Sequence, residues 1–190
     1  MNPFVIALSA LLLVGSSCSK KSGDSSEDLF QQSPASKVPD QLATGTWFSG
    51  TLSAISYFDR DGHRLGNEYE AGREYTFSNV NGKGRIKFWQ YLGVRTASTC
   101  VTEHYTYKEG TVVFEGDKFT IYPVKGNFKT IKDKCSSGNG TTKRDAAGDD
   151  LKPDVYRWEI KTIDGKTYFY TYLDTDVDHE DPVFVYSWVQ

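Results

Sequence analysis

Short strand-like runs separated by turn dipeptides dominate the chain from residue 44 to residue 190. The runs are rich in Tyr, Phe, Val, Ile and Thr, which suit a pleated and half-buried surface, and Gly, Asn and Asp pairs interrupt them. The pattern contains no long helical period. It therefore predicts one all-β domain over residues 44–190, a length sufficient to bury a substantial core.

The dipeptide Asp164-Gly165 is strongly favoured in two-residue type I′ turns, and it predicts a hairpin in which Ile163 pairs with Lys166. Side chains alternate along a strand, so this register defines two faces. The expected core face carries Trp158, Ile160, Phe169, Thr171 and Leu173. The opposite face carries Arg157, Glu159, Lys161, Tyr168, Tyr170 and Tyr172.

Two further turn dipeptides, Glu109-Gly110 and Gly116-Asp117, predict three successive strands within residues 105–121. The expected partners are Tyr107 with Val112, Tyr105 with Phe114, Phe114 with Phe119, and Val112 with Ile121. Facing residues of an antiparallel pair share a face, so this register places Tyr105 and Tyr107 in the core.

Tyr168, Tyr170 and Tyr172 alternate on a strand face whose other members are charged, which indicates an exposed aromatic strip. Phenol rings offer flat apolar area with a polar tip, so the strip is a candidate binding surface for a sugar or a protein. The alternative is that tyrosine is present because it suits strands and cross-strand pairing.

Many sequential hairpins leave two open sheet edges unless the sheet closes, and closure is natural at roughly eight or nine strands. The motif Gly45-Thr46-Trp47 opens the first long strand and resembles the Gly-x-Trp signature of lipocalins. The resemblance implies an antiparallel up-and-down β-barrel in which Gly45 and Trp47 have a structural role. Trp47 would pack across one end, and the other end would open onto a ligand cavity. A β-sandwich is the alternative fold.

An apolar run from Phe4 to Val14 is followed by small residues and then by Cys18. The run is shorter than the roughly 20 residues that cross a bilayer, and it suits the core of a signal peptide. We therefore expect residues 1–17 to be a lipoprotein signal peptide and Cys18 to carry a lipid. Ordinary cleavage that leaves Cys18 as a free thiol is the alternative.

Residues 18–43 are rich in Ser, Lys and acidic side chains, and they predict a flexible tether anchored by its lipid. Docking of Leu29 and Phe30 on the domain is the alternative. The expected location is the cell envelope of a Gram-negative bacterium, at the outer membrane, on either its periplasmic or its surface side.

Cys100 and Cys135 are the only cysteines within residues 44–190. An exported chain meets an oxidising compartment, so these two residues are expected to form a disulfide. A metal site is the alternative, but Cys-x-x-Cys and Cys-His spacings are missing from the sequence. The acidic run 174–181 likewise departs from a calcium loop, because His179 occupies the position that requires glycine. We predict no metal and no cofactor.

Composition and motifs narrow the function classes. The formal charge of -3 gives no basic footprint for nucleic acid. The sequence contains no nucleophile elbow, phosphate loop or zinc-protease helix, which favours a protein that is not an enzyme. Two hypotheses remain. The first is a barrel that binds a small apolar or amphipathic ligand, and the second is an envelope interaction module, such as a hydrolase inhibitor or a glycan or protein binder, that uses an outer face or loops.

Overall fold

The computed structural model describes residues 26–43, 45–50, 69–95 and 99–189. A short helix, α1, spans Ser26–Gln32. The strands are β1 (Thr46–Gly50), β2 (Tyr69–Val80), β3 (Lys83–Arg95), β4 (Val101–Glu115), β5 (Lys118–Asp133), β6 (Gly140–Asp145), β7 (Asp154–Ile163), β8 (Lys166–Leu173) and β9 (Phe184–Val189). A 3-10 turn covers Gly148–Leu151. In the described part of the chain, no helix is long and apolar enough to span a membrane.

Eight of the strands form a closed antiparallel ring of hydrogen-bonded pairs, in the order β1-β2-β3-β4-β5-β7-β8-β9 and back to β1. The strand β6 lies outside the ring, because it pairs with residues 127–132 of β5, whereas residues 118–121 of β5 pair with β7. Apart from the closing pair of β9 with β1, ring neighbours follow each other along the chain once β6 is left out. The predicted all-β class with an antiparallel up-and-down arrangement is therefore confirmed.

The registers of two predicted hairpins are confirmed. Ile163 pairs with Lys166, and both residues of the connecting turn, Asp164 and Gly165, have positive φ, as a type I′ turn requires. Across the turn between β4 and β5, Phe114 pairs with Phe119 and Val112 with Ile121. These pairs join residues close in sequence, so turn chemistry and alternation suffice to define them.

The predicted turn at Glu109-Gly110 is wrong, because β4 runs through these residues without reversing. At this point the β4–β5 register shifts: Glu109 pairs with Lys125 and Gly110 with Pro123. A Cβ atom on Gly110 would lie 2.2 Å from the carbonyl oxygen of Tyr122. The glycine therefore permits a close approach of β5 at an irregularity in the ladder.

Because β4 is continuous, its tyrosines lie on the opposite face from the one predicted. Tyr105 and Tyr107 are separated from Val112 by odd numbers of residues along one strand, so they lie on the opposite face from it. Val112 is fully buried, whereas Tyr105 and Tyr107 are half-buried on the outer face of the ring. The prediction that the two tyrosines belong to the core is wrong for this reason.

Residues 26–43 pack on the ring, so the flexible-tether prediction is wrong for this segment. Val38 and Leu42 are fully buried in the core, and Phe30 of α1 is buried as well. Ser36 lies between the ends of β3 and β4, where its carbonyl accepts from the Gly84 N–H at 2.7 Å. Apolar side chains hold this segment on the domain. Residues 1–17, Cys18 and the remainder of the expected tether up to residue 25 lie outside the described residues.

The connection from β5 to β7, residues 134–153, contains β6 and the 3-10 turn. Arg144 of β6 is held by two hydrogen bonds to the Asp150 carboxylate, at 2.6 and 3.1 Å. The same carboxylate accepts from the Ala147 N–H at 3.1 Å. The strand widens the sheet beyond the ring, on the side of β5 away from β4.

Candidate functional site

An aromatic cluster lies on the outer surface of the ring, and we name it the aromatic face. Its members are Phe48 of β1, Trp89 and Tyr91 of β3, and Tyr105 and Tyr107 of β4. Trp89 is directly opposite Tyr107, and Tyr91 is directly opposite Tyr105. The ring centroids of these pairs are 4.1 Å and 5.2 Å apart. The strand pair thus presents two adjoining aromatic ladders.

The aromatic face is open to solvent, with 46% of Trp89 exposed. Two grooves meet at Trp89 and Tyr105 and are lined by both. The first has a volume of about 320 Å³ and extends towards Phe48 and Gly72. The second has a volume of about 650 Å³ and extends over Tyr107 towards β5 and β6. Together they form a surface on which an extended ligand can lie against flat rings.

Glutamate carboxylates accept hydrogen bonds from tyrosine hydroxyls of the aromatic face. Tyr107 donates to the Glu109 carboxylate, and Tyr91 donates to the Glu103 carboxylate at 3.4 Å. Burial and the hydrogen bond to Glu109 raise the pKa of the Tyr107 hydroxyl. Burial and the charge of Glu103 raise the pKa of the Tyr105 hydroxyl. Both phenols therefore stay protonated near neutral pH.

The interior of the ring is filled by aromatic side chains. Phe119 is fully buried and has its ring within 6.4 Å of five other rings, those of Tyr75, Phe77, Phe114, Tyr156 and Phe169. A void of about 10 Å³ beside Arg73 and Tyr75 has room for about one water molecule. The described core thus resembles the packed interior of a small barrel.

In the described core, the guanidinium of Arg73 lies against aromatic rings. Its guanidinium carbon is 3.9 Å from the centroid of Phe184 and 4.9 Å from that of Phe88. Its Nη2 donates to the Tyr75 hydroxyl at 3.4 Å. Burial opposes the charge, but the neighbouring tyrosine hydroxyls keep the pKa of Arg73 above its usual value. Burial raises the pKa of Tyr186, on the same side of the core, to about 12.

The predicted strip of Tyr168, Tyr170 and Tyr172 lies on the outer face in the expected register. It is not an exposed strip of three, however, because Tyr172 is fully buried. The imidazole of His179 stacks on Tyr172, with centroids 4.6 Å apart and planes 9° apart. Tyr172 also donates to Glu159. The connection from β8 to β9 folds back over this end of the strip and removes it from solvent.

Gly45 and Trp47 lie at the end of the ring that residues 33–43 cover. Trp47 is 1% exposed and makes an edge contact with Phe169, with centroids 5.7 Å apart. A Cβ atom on Gly45 would lie 2.1 Å from Nε1 of Trp188. The motif thus has local packing reasons for both its glycine and its tryptophan.

The predicted disulfide between Cys100 and Cys135 is present, with Cα atoms 4.3 Å apart. It connects the start of β4 to the segment that follows β5. Elsewhere in the described ranges, no group of three or more His, Cys, Asp and Glu side chains is placed to hold a metal ion.

Sequence reasoning missed the aromatic face. The pattern that indicates it is a pair of aromatic residues two positions apart in each of two strands: Trp89 and Tyr91, and Tyr105 and Tyr107. The predicted turn at Glu109-Gly110 places Tyr105 and Tyr107 in the core, so the sequence did not indicate that these rings lie on the outer face. Only the β3–β4 register brings the two pairs together.

Comparison with known proteins identifies no family. No protein-family model matches the chain, and neither the curated proteins nor the solved structures include a significant match.

Proposed function

We propose that this chain is a non-enzymatic glycan-binding module of the cell envelope that uses the aromatic face. The carrying observation is the contact of the exposed Trp89 with the half-buried Tyr107, beside Tyr91 and Tyr105 and two open grooves. Aromatic rings stack on the apolar faces of sugar rings, and tyrosine and tryptophan also supply polar tips for the hydroxyl groups. The packed interior supports an outer rather than an inner site.

The proposal includes a lipid anchor at Cys18 and a location at the outer membrane. The short distance in sequence between Cys18 and α1, which begins at Ser26, supports a domain held close to its membrane. A lipocalin-like architecture is part of the same proposal, and the buried Trp47 at one covered end of the eight-stranded ring supports it.

Arg73 favours a second candidate function, the binding of a small amphipathic ligand inside the ring. A partly buried cation surrounded by rings and hydroxyls suits an anionic head group. This candidate requires the rings of the core to move, because the void beside Arg73 is about 10 Å³. Native mass spectrometry tests it: retention of an anionic amphiphile that Arg73→Gln abolishes and Trp89→Ala preserves would favour this site.

The main proposal is tested by titrating the full-length chain, purified in a non-ionic detergent, with soluble neutral and acidic polysaccharides. Trp89→Ala is expected to weaken binding about 30-fold, as for a central aromatic contact. The matched control is Trp188→Ala, because Trp188 is a similarly exposed tryptophan (43%) outside the aromatic face. Circular dichroism verifies the fold of both variants. Equal binding by wild type and Trp89→Ala would refute the proposal.

A further inference from the structure

Two lysines face each other at one end of the aromatic face. Lys129 of β5 is directly opposite Lys143 of β6, in the same cross-strand row as Tyr91 and Tyr105. The Nζ atom of Lys129 lies 5.0 Å from the centroid of Tyr105. Like charges directly opposite each other on a sheet are destabilising. The pair is thus an unfavourable arrangement that an anion would relieve.

In the described ranges, no acidic side chain forms an ion pair with Lys129 or Lys143. The other charged residues lining the same groove are Arg144 and Asp145. Arg144 is paired with Asp150 at 2.6 Å, whereas Asp145 is not within 4.0 Å of either lysine amine. Each lysine ammonium therefore remains available to a ligand in the groove of about 650 Å³.

The acidic side chains nearest to the phenols are already engaged. Glu109 accepts from Tyr107 and is 3.5 Å from the Lys125 amine, and Glu103 accepts from Tyr91. Glu103 and Glu109 keep their negative charge beside the phenols, and the positive charge of the groove lies at its β5–β6 end, where Lys129 faces Lys143. A ligand that lies along the rings places its next unit against Lys129 and Lys143.

We propose that the aromatic face binds an acidic glycan, with sugar rings on Trp89, Tyr105 and Tyr107 and a uronate carboxylate between Lys129 and Lys143. This inference rests on the proposed function and specifies its ligand class. A carboxylate accepts charge-assisted hydrogen bonds from both ammonium groups and removes their mutual repulsion. A neutral glycan of the same shape contacts the aromatic rings but forms no charge-assisted hydrogen bond with the lysines.

The experiment compares polygalacturonate with its methyl ester, which has the same backbone without the charge, using the full-length chain in non-ionic detergent. Wild type is expected to bind the acid about tenfold more tightly, and added salt is expected to reduce the difference. Lys129→Gln combined with Lys143→Gln is expected to remove the preference for the acid, so that the variant binds acid and ester equally. The matched control combines Lys134→Gln with Lys166→Gln, two exposed lysines outside the groove.

The outcomes separate this inference from the proposed function. Equal binding of acid and ester, still lost in Trp89→Ala, overturns the acidic specificity and leaves glycan binding by the aromatic face intact. Binding that Trp89→Ala does not change overturns both. Tighter binding of a single-stranded oligonucleotide than of polygalacturonate, dependent on the same two lysines, overturns the glycan assignment, because nucleic acids also combine flat rings with negative charge.

Discussion

The indole Nε1 of Trp47 donates a hydrogen bond to the backbone carbonyl of Leu42 at 3.1 Å. Both residues are buried, so the bond ties the segment that covers one end of the ring to the first strand of that ring. The segment before β1 therefore belongs to the hydrophobic core, which includes Val38 and Leu42.

Trp47→Ala is expected to lower the free energy of unfolding by about 3–5 kcal/mol, because it leaves a large cavity and an unpaired carbonyl. Glycan affinity, measured where the variant is folded, should stay within about twofold of wild type, since Trp47 is buried inside the ring and successive side chains of a strand point to opposite faces. Urea denaturation and calorimetric titration provide the two readouts. Unchanged stability with lost binding would show that Trp47 contacts the ligand.

Leu42→Ala is expected to cost about 2–5 kcal/mol of unfolding free energy, because a fully buried side chain is truncated. Gln41→Ala is the matched control next to it, and its exposed side chain should contribute less than about 0.5 kcal/mol. Urea unfolding of both variants measures the difference. Equal stabilities would contradict docking of this segment in the core.

Gly110→Ala is expected to destabilise the fold by about 3 kcal/mol, because its Cβ atom would overlap the Tyr122 carbonyl. Gly116→Ala provides a control at a real turn. That glycine has φ of 61° and no atom within 4 Å of its added Cβ, so about 1 kcal/mol is expected. Thermal unfolding ranks the two variants, and the opposite ranking would indicate that the chain turns at Gly110.

Asp150 makes the corner after β6 sensitive to acid. Hydrogen bonds from Arg144 and from the Ala147 N–H lower the pKa of its carboxyl from 3.8 to about 2. A lowered pKa in the folded state stabilises the fold above pH 4, and this contribution is lost as the pH falls towards 2.

Urea midpoints from pH 5 to pH 2 should therefore show Asp150→Asn to be less stable than wild type above pH 4 and equally stable near pH 2. Asp149→Asn, in the same 3-10 turn, is the control for a general effect of charge. A gap between wild type and Asp150→Asn that persists at pH 2 would contradict the role of this carboxylate.

Replacing both Cys100 and Cys135 by serine is expected to lower the free energy of unfolding by about 3–4 kcal/mol, because the unfolded chain loses a closed loop. The two cysteines are 35 positions apart, which sets the size of that loop. Denaturation of the variant and of wild type, each with and without reductant, measures the effect. A wild type insensitive to reductant and equal to the variant would contradict it.

Local features of the chain were predictable where one interaction dominates. The hairpins at Asp164-Gly165 and Gly116-Asp117 join adjacent strands, so turn chemistry and alternation define their registers. The pairing of Cys100 with Cys135 followed from their being the only cysteines of the domain. At Gly110 the same reasoning failed, because a glycine permits both a turn and a close backbone approach.

The all-β class, two hairpin registers and the disulfide were predictable from the sequence, since each depends on neighbouring residues or on a single choice of partner. Three features became apparent only in the assembled fold. Residues 26–43 cover the ring, Tyr172 is buried under His179, and Trp89 contacts Tyr107 on a face that has two lysines at its β5–β6 end. The physical reason is that these contacts join segments distant in sequence. The closure of the ring, rather than the preference of any single residue, determines which strand faces are buried inside it and which are exposed outside.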